Sequence, residues 1–162
     1  MRIKWFSLIR ITGLLLVLLY HFFQTIFPGG FFGVDVFFTF SGFLITALLI
    51  EEFSKNHEID LIGFFRRRFY RIVPPVVLMV LVTMPFTFLV RQDYVAGIGG
   101  QIAGVLGFMT NFYELLTGGS YESQFIPHLF VHNWSLAVEV HYYILWGLAV
   151  WFLSKRSKSS SQ

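Results

Sequence analysis

The sequence predicts an all-α integral membrane protein with about four transmembrane helices and one re-entrant or interfacial glycine-rich segment. Hydrophobic residues make up 56% of the 162 residues and charged residues only 13%, whereas soluble domains are about 25% charged. Uncharged runs long enough to cross a bilayer recur along the chain. The net charge of +3 comes from basic residues placed where membrane proteins carry their cytoplasmic charges. This placement argues against nucleic-acid binding.

Four uncharged or nearly uncharged runs are each predicted to form a transmembrane helix. Pro28-Gly29-Gly30 is a tight-turn sequence, so the first two runs should form a helical hairpin. The polar segment 51–71 is predicted to be a surface loop. The runs are residues 11–27, 30–50, 72–90 and 134–153.

The glycine-rich segment 94–113 is also uncharged and long enough to cross. Basic clusters precede the first and third spans and follow the last, and basic clusters are expected to be cytoplasmic. This arrangement requires an even number of crossings, so we interpret the segment as re-entrant or interfacial rather than as a fifth span. The N-terminus is then cytoplasmic, and residues 114–133 lie outside.

The chain ends in a serine- and lysine-rich stretch directly after the last span. We expect residues 154–162 to be a disordered tail, because they offer nothing to pack. Residues 1–153 are expected to be the N-terminal portion of a larger helical bundle.

Three ionisable side chains within the predicted spans should reach one layer of the membrane. Arg10 and His21 share a helix face about 16 Å apart, and His21 should lie about 9 Å below the outer surface. Asp35 and Glu139 should each lie about 7 Å below it. A carboxylate bonded to one imidazole nitrogen would leave the other free to accept a proton from a hydroxyl. The alternatives are a histidine bonded between helices, a helix-capping aspartate and a carboxylate reached by water.

Four arginines precede the third span. Guanidinium groups bind phosphate through paired hydrogen bonds, which favours a phosphate clamp at the cytoplasmic surface. Topological anchoring and anionic-lipid binding would also account for the cluster. The four are Arg66, Arg67, Arg68 and Arg71.

Metal and thiol chemistry have little support in the sequence. The chain has no cysteine, which excludes disulfides, thiolate nucleophiles and cysteine-ligated zinc. His128 and His132 have a helical metal-ligand spacing, but no third ligand accompanies them, so we predict no metal site. His57, in the polar segment, is predicted to be solvated.

At these residues the chain resembles the acyltransferase 3 family of bacterial membrane acyltransferases, and within it the peptidoglycan O-acetyltransferases of Gram-positive bacteria. Four elements in family order make the resemblance specific. They are Arg10 with His21, GVDVFFTFSGF at 33–43, FRRRFYRIVP at 65–74 and HNWSLAVE at 132–139.

The resemblance implies a multi-pass protein of the bacterial plasma membrane that moves an acyl group, acetyl above all, from cytoplasmic acyl-CoA to an extracytoplasmic carbohydrate hydroxyl. Acyl-CoA would be the donor substrate, with no permanently bound cofactor. His21, as base or nucleophile, Asp35, orienting its ring, and Glu139, positioning the acceptor or sharing protons, would be catalytic. Arg10 and the four clustered arginines would bind acyl-CoA.

The resemblance also implies partners beyond the lipid bilayer. These would be the remaining helices of the family's bundle or an extracytoplasmic transferase domain. Two other interpretations stay open from the residues alone. One is an inactive truncated remnant, and the other is a transporter or proton-relay protein, for which intramembrane ionisable groups are equally suitable.

Overall fold

Every regular element in the part of the chain that the structure describes is a helix. The computed structural model describes residues 4–23, 25–89, 92–117 and 128–159. Short 3-10 helices lie beside several of the α-helices. The α-helices are α1 (Lys4–Phe22), α2 (Gly33–Asn56), α3 (Leu61–Thr83), α4 (Ile98–Leu106), α5 (Thr110–Thr117) and α6 (Trp134–Ser159).

Three helical stretches of the described residues are long and apolar enough to cross a membrane. They are Pro28–Asn56, Leu61–Leu89 and Val131–Arg156, and α1 adds a shorter apolar stretch, Ile11–Phe22. The prediction of an all-α membrane protein is confirmed. The predicted first span, 11–27, is longer than the observed helix. α1 ends at Phe22, and the chain then turns toward a 3-10 helix that begins at Pro28.

The chain divides into two compact units, Met1–Ile59 and Asp60–Gln162. In the first unit, α1 packs closely against the start of α2. A Cβ atom on Gly33 would lie 2.6 Å from the backbone oxygen of Gly13, and one on Gly30 would overlap the backbone oxygen of Leu16. The predicted helical hairpin therefore depends on glycine at its contact points, where a side chain would force the helices apart.

The segment 51–71 is helical at both ends, so its prediction as a surface loop is wrong. α2 continues to Asn56, and α3 begins at Leu61. The Asp60 side chain starts α3 by accepting a hydrogen bond of 2.9 Å from the backbone N–H of Gly63. This N-cap satisfies an N–H group that has no partner within the helix. The four arginines consequently lie on a helix, each with a defined direction.

The second unit has a hydrophobic core formed by Val76 and Val80 of α3, Val105 of α4, and Phe130. The glycine-rich segment folds into α4 and α5, of nine and eight residues. Neither is close to the length of about 20 residues that a crossing helix needs. The segment thus does not form a single spanning helix, in agreement with its interpretation from the sequence.

α6 continues through residues 154–159, which the sequence pattern assigns to a disordered tail. The Ser154 hydroxyl donates a hydrogen bond of 2.7 Å to the carbonyl of Trp151. The Lys155 ammonium lies 4.1 Å from the centroid of the same indole ring. Cations near a helix C-terminus are also stabilised by the helix dipole. Residues 160–162 lie outside the described part of the chain.

Candidate functional site

A cavity of about 810 Å³ lies in the second unit, where α3, the α4–α5 turn and α6 meet. Ligand sites in proteins have volumes of about 300–1,000 Å³ and mostly apolar walls with a few polar groups. The cavity has this character, since nine of its lining side chains are aliphatic or phenylalanine and two are arginine. The lining residues are Ile62, Phe65, Arg66, Arg68, Phe69, Tyr70, Ile72, Val73, Leu106, Phe108, Val140, Tyr143 and Ile144.

The structure separates the four clustered arginines into different environments. Arg66 and Arg68 line the cavity. Arg67 lies beside the helix cap, with its Nη1 atom 3.1 Å from the Cβ position of Gly63. Arg71 is exposed and is not among the residues that line the cavity. Of the four, Arg66 and Arg68 are the two whose side chains reach the cavity.

Arg68 connects α3 to α6 through aromatic rings. Its guanidinium carbon lies 5.6 Å from the ring centroid of Phe64 and 5.7 Å from that of Tyr143. Both distances are within the range of cation–π attraction, about 6 Å. The half-buried guanidinium is therefore held against α6 beside the cavity.

Tyr143 links this arginine to a predicted catalytic carboxylate. Its hydroxyl donates a short hydrogen bond to the Glu139 carboxylate, one turn earlier on α6. Sequence reasoning assigned Tyr143 only to packing and interfacial anchoring. Its four-residue spacing from Glu139 was the available signal, because residues at this spacing are neighbours on a helix surface.

Prolines in α3 leave backbone acceptors beside the cavity. The helix continues through Pro74 and Pro75. A proline has no N–H group, so these two residues cannot make the helical hydrogen bonds to the carbonyls of Tyr70 and Arg71. Tyr70 is one of the residues that line the cavity.

His21 lies in the last turn of α1, because the helix ends one residue later at Phe22. The helix thus ends before residue 27, from which the depth of about 9 Å below the outer surface was counted, and that depth stays a prediction. Its Nδ1 atom is 2.8 Å from the carbonyl oxygen of Val17. A carbonyl oxygen only accepts, so Nδ1 carries the proton and Nε2 is left as the basic nitrogen. Arg10 lies on the same helix, with its side chain outside what the structure describes.

Asp35 is not the group that orients the His21 ring. Gly33 and Phe37, two residues on either side of Asp35, contact α1. Asp35 is rotated by about 200° from each of them and is exposed on the other side of α2. Gly33 contacts α1 at Val17, which lies about 6 Å along the helix axis from His21. Asp35 lies farther along α2, in the direction away from His21. The two side chains do not reach one layer of the hairpin, and the Val17 carbonyl replaces the carboxylate.

A histidine–carboxylate pair that the sequence did not indicate lies in the second unit. Nδ1 of His128 is 2.8 Å from the Glu114 carboxylate, which is buried in the middle of α5. In the sequence, a helical spacing relates His128 only to His132. Glu114 is fourteen residues away, so no helical spacing relates it to His128. His57, predicted to be solvated, is exposed at the C-terminal end of α2.

Comparisons with known proteins agree on one family. A family model described as "Acyltransferase domain" matches residues 3–161. The chain is 33% identical over 150 residues to O-acetyltransferase OatA of Staphylococcus aureus (strain NCTC 8325), covering 93% of this chain and 25% of that protein. It is 31% identical over 139 residues to peptidoglycan O-acetyltransferase OatA of Listeria monocytogenes, covering 85% of this chain and 22% of that protein.

The chain thus spans about a quarter of the length of these curated relatives. No solved structure matches it.

Proposed function

The chain belongs to the acyltransferase 3 family, and on that premise we propose that it transfers an acyl group from cytoplasmic acyl-CoA to a hydroxyl of an extracytoplasmic carbohydrate. The two relatives are named for O-acetyl transfer, and the Listeria protein for transfer to peptidoglycan. Acetyl is therefore the proposed acyl group, and peptidoglycan the proposed acceptor.

The observation that carries the proposal is the apolar cavity with Arg66 and Arg68 in its wall. Acyl-CoA combines several phosphate groups with a thin arm that ends in an uncharged thioester. The guanidinium groups suit the phosphates, through charge-assisted paired hydrogen bonds. The apolar walls suit the arm, and the Tyr70 carbonyl offers an acceptor to its amide N–H groups.

In this proposal Arg66 and Arg68 bind the donor phosphates, and His21 supplies the base. Nε2 of His21 accepts the proton of the acceptor hydroxyl while its oxygen attacks the thioester carbonyl carbon. The carbon–sulfur bond breaks, and the departing thiolate takes the proton back from the imidazolium. If Nε2 attacks the thioester itself, the carbon–sulfur bond breaks to leave an acyl-imidazole and a thiolate. The hydroxyl oxygen then attacks the acyl carbon, the bond to Nε2 breaks, and the hydroxyl proton passes to the thiolate. Because Nδ1 donates its proton to the Val17 carbonyl, Nε2 carries no proton, as both routes require.

Glu139 is proposed to position the acceptor, held in place by Tyr143. Asp35 is proposed to act elsewhere than on the imidazole, because it lies on the other side of α2 from α1. The bilayer is the surrounding medium of the reaction. Arg10, Arg67 and Arg71 are also proposed to assist donor binding, although neither Arg67 nor Arg71 lines the cavity.

The proposal is tested by expressing the chain in a bacterium that lacks peptidoglycan O-acetylation and measuring base-labile acetate on isolated cell wall. We expect ester to form with the wild-type chain and to be lost with His21→Ala. His57→Asn is the matched control, because His57 is exposed and asparagine tolerates its positive φ. Equal ester with the wild-type chain and His21→Ala, both present in the membrane, would contradict the role of His21. No ester from the wild-type chain would contradict transfer by this chain.

A further inference from the structure

Phe108 has a backbone conformation that phenylalanine rarely adopts. Its φ of 54° lies in the left-handed region, where the side chain of an L-residue is crowded by its own backbone. Among the described non-glycine residues, only His57 shares this feature. Unlike His57, Phe108 lies in the turn between α4 and α5 and lines the cavity.

The turn around Phe108 is one that usually contains glycine. The Phe108 N–H donates to the carbonyl of Val105 at 3.1 Å, and the Met109 N–H donates to that of Gly104 at 2.7 Å. This pair of bonds is the Schellman motif at the end of a helix, with Phe108 at its left-handed position. Glycine would make the same bonds without steric cost. The backbone therefore gives no reason for a phenylalanine here.

The side chain supplies the reason. Phe108 lines the cavity and packs against the hydrophobic core of the second unit. That core includes Val76, which is eight residues beyond Arg68 and so about 12 Å farther along α3. Phe108 thus forms the cavity wall at the end away from the two arginines.

We propose that Phe108 is a specificity-determining residue that closes the far end of the cavity and limits the length of the acyl group. The inference rests on the proposed function, in which the donor phosphates bind Arg66 and Arg68. With the phosphates there, the acyl end of the donor extends toward Phe108. A longer acyl chain would then have to occupy the space that the ring fills.

The test compares acetyl-CoA, butyryl-CoA and hexanoyl-CoA as donors to soluble peptidoglycan fragments, with the chain in isolated membranes. The wild-type chain should prefer acetyl-CoA. Phe108→Gly removes the ring and relaxes the backbone, so we expect the ratio of kcat/KM for butyryl-CoA to that for acetyl-CoA to rise at least about tenfold, since one methylene changes discrimination by about 10–200-fold. Phe108→Leu keeps an apolar side chain in the core and should move the ratio in the same direction by less.

Ile62→Ala is the matched control, because Ile62 lines the cavity at the arginine end and is 81% exposed. It should leave the ratio unchanged. Equal use of the three donors by the wild-type chain would overturn the inference, as would an unchanged ratio in Phe108→Gly and Phe108→Leu with acetyl transfer intact. In both cases the proposed function would stand. Failure of the wild-type chain to use any acyl-CoA would overturn the proposed function as well.

Discussion

At the scale of single residues, Tyr143 combines two contacts in one buried side chain. The face of its ring attracts the Arg68 guanidinium, and its hydroxyl donates to Glu139. Because one side chain holds both groups, a substitution that alters the Arg68 contact is expected to disturb the Glu139 contact as well, and the reverse. The two ends can still be tested separately, since one contact uses the ring and the other uses the oxygen.

Tyr143→Phe removes the hydroxyl and keeps the ring beside Arg68. We expect the rate of acyl transfer to fall roughly tenfold or more, because hydrogen bonds to charged groups are worth about 1.5–3 kcal/mol and 1.4 kcal/mol is about tenfold. The KM for acyl-CoA should change little. Tyr142→Phe is the control, because Tyr142 stacks on Trp146 at 6.0 Å. A raised KM with an unchanged rate would show that Tyr143 serves donor binding instead.

Arg68→Gln is expected to weaken acyl-CoA binding by roughly tenfold or more, because it removes a charge-assisted contact from the cavity wall. Arg67→Gln, next to it on α3, should have a smaller effect because Arg67 lies beside the helix cap. Equilibrium binding of a non-hydrolysable acyl-CoA analogue to the purified protein measures both. Equal losses for the two variants would mean that the cluster attracts the donor only through its total charge.

At the scale of elements, the α1–α2 hairpin is set by glycines at the contact. Gly33→Ala would place a Cβ atom 2.6 Å from a backbone oxygen of α1 and 2.8 Å from Val17. We expect a loss of about 1–3 kcal/mol, the usual cost of overpacking a well-packed contact. Gly29→Ala is the control, since no atom lies within 4 Å of its Cβ position. Thermal unfolding in detergent measures both, and equal stability of the two variants would contradict the close packing.

The α1–α2 hairpin also separates His21 from Asp35. Because α1 ends just after this residue, the ring is oriented by its own helix, through the Val17 carbonyl. The carboxylate that the sequence offered for this task is turned away. Once the ends of a helix are known, the residue numbers give the direction of each side chain around the helix axis. The predicted end of the first span lies five residues beyond the observed end of α1, because apolar residues continue beyond Phe22 to residue 27.

At the scale of the whole molecule, the predicted topology has four crossings and a cytoplasmic N-terminus. The chain has no cysteine, so single cysteines can be introduced and labelled with an impermeant maleimide. We expect Thr25→Cys and Thr117→Cys to react in intact spheroplasts, and Ser54→Cys to react only after permeabilisation. All three positions are exposed. Labelling of Thr117→Cys only after permeabilisation would mean that the α4–α5 segment crosses the membrane.

Much of the fold could be predicted from the amino-acid sequence alone. Apolar runs predict crossing helices because unpaired backbone groups are too costly in lipid, and the cost depends on composition rather than on packing. The count of basic residues on each side likewise predicts that the glycine-rich segment does not cross. The polar segment 51–71 was misread because its charges indicate a surface but not whether that surface is helical, and Asp60 provides a cap there.

The sequence by itself determined that this is a helical membrane protein, and that His21, Glu139 and a set of arginines occur in it in the order of an acyltransferase family. Only the tertiary structure decided that Arg66 and Arg68 reach a cavity, that Tyr143 joins Arg68 to Glu139, and that Phe108 closes the far wall. Hydrophobicity and charge are carried by each residue wherever it lies. Contacts between helices depend on helix ends, phase and crossing points, which exist only in the folded chain.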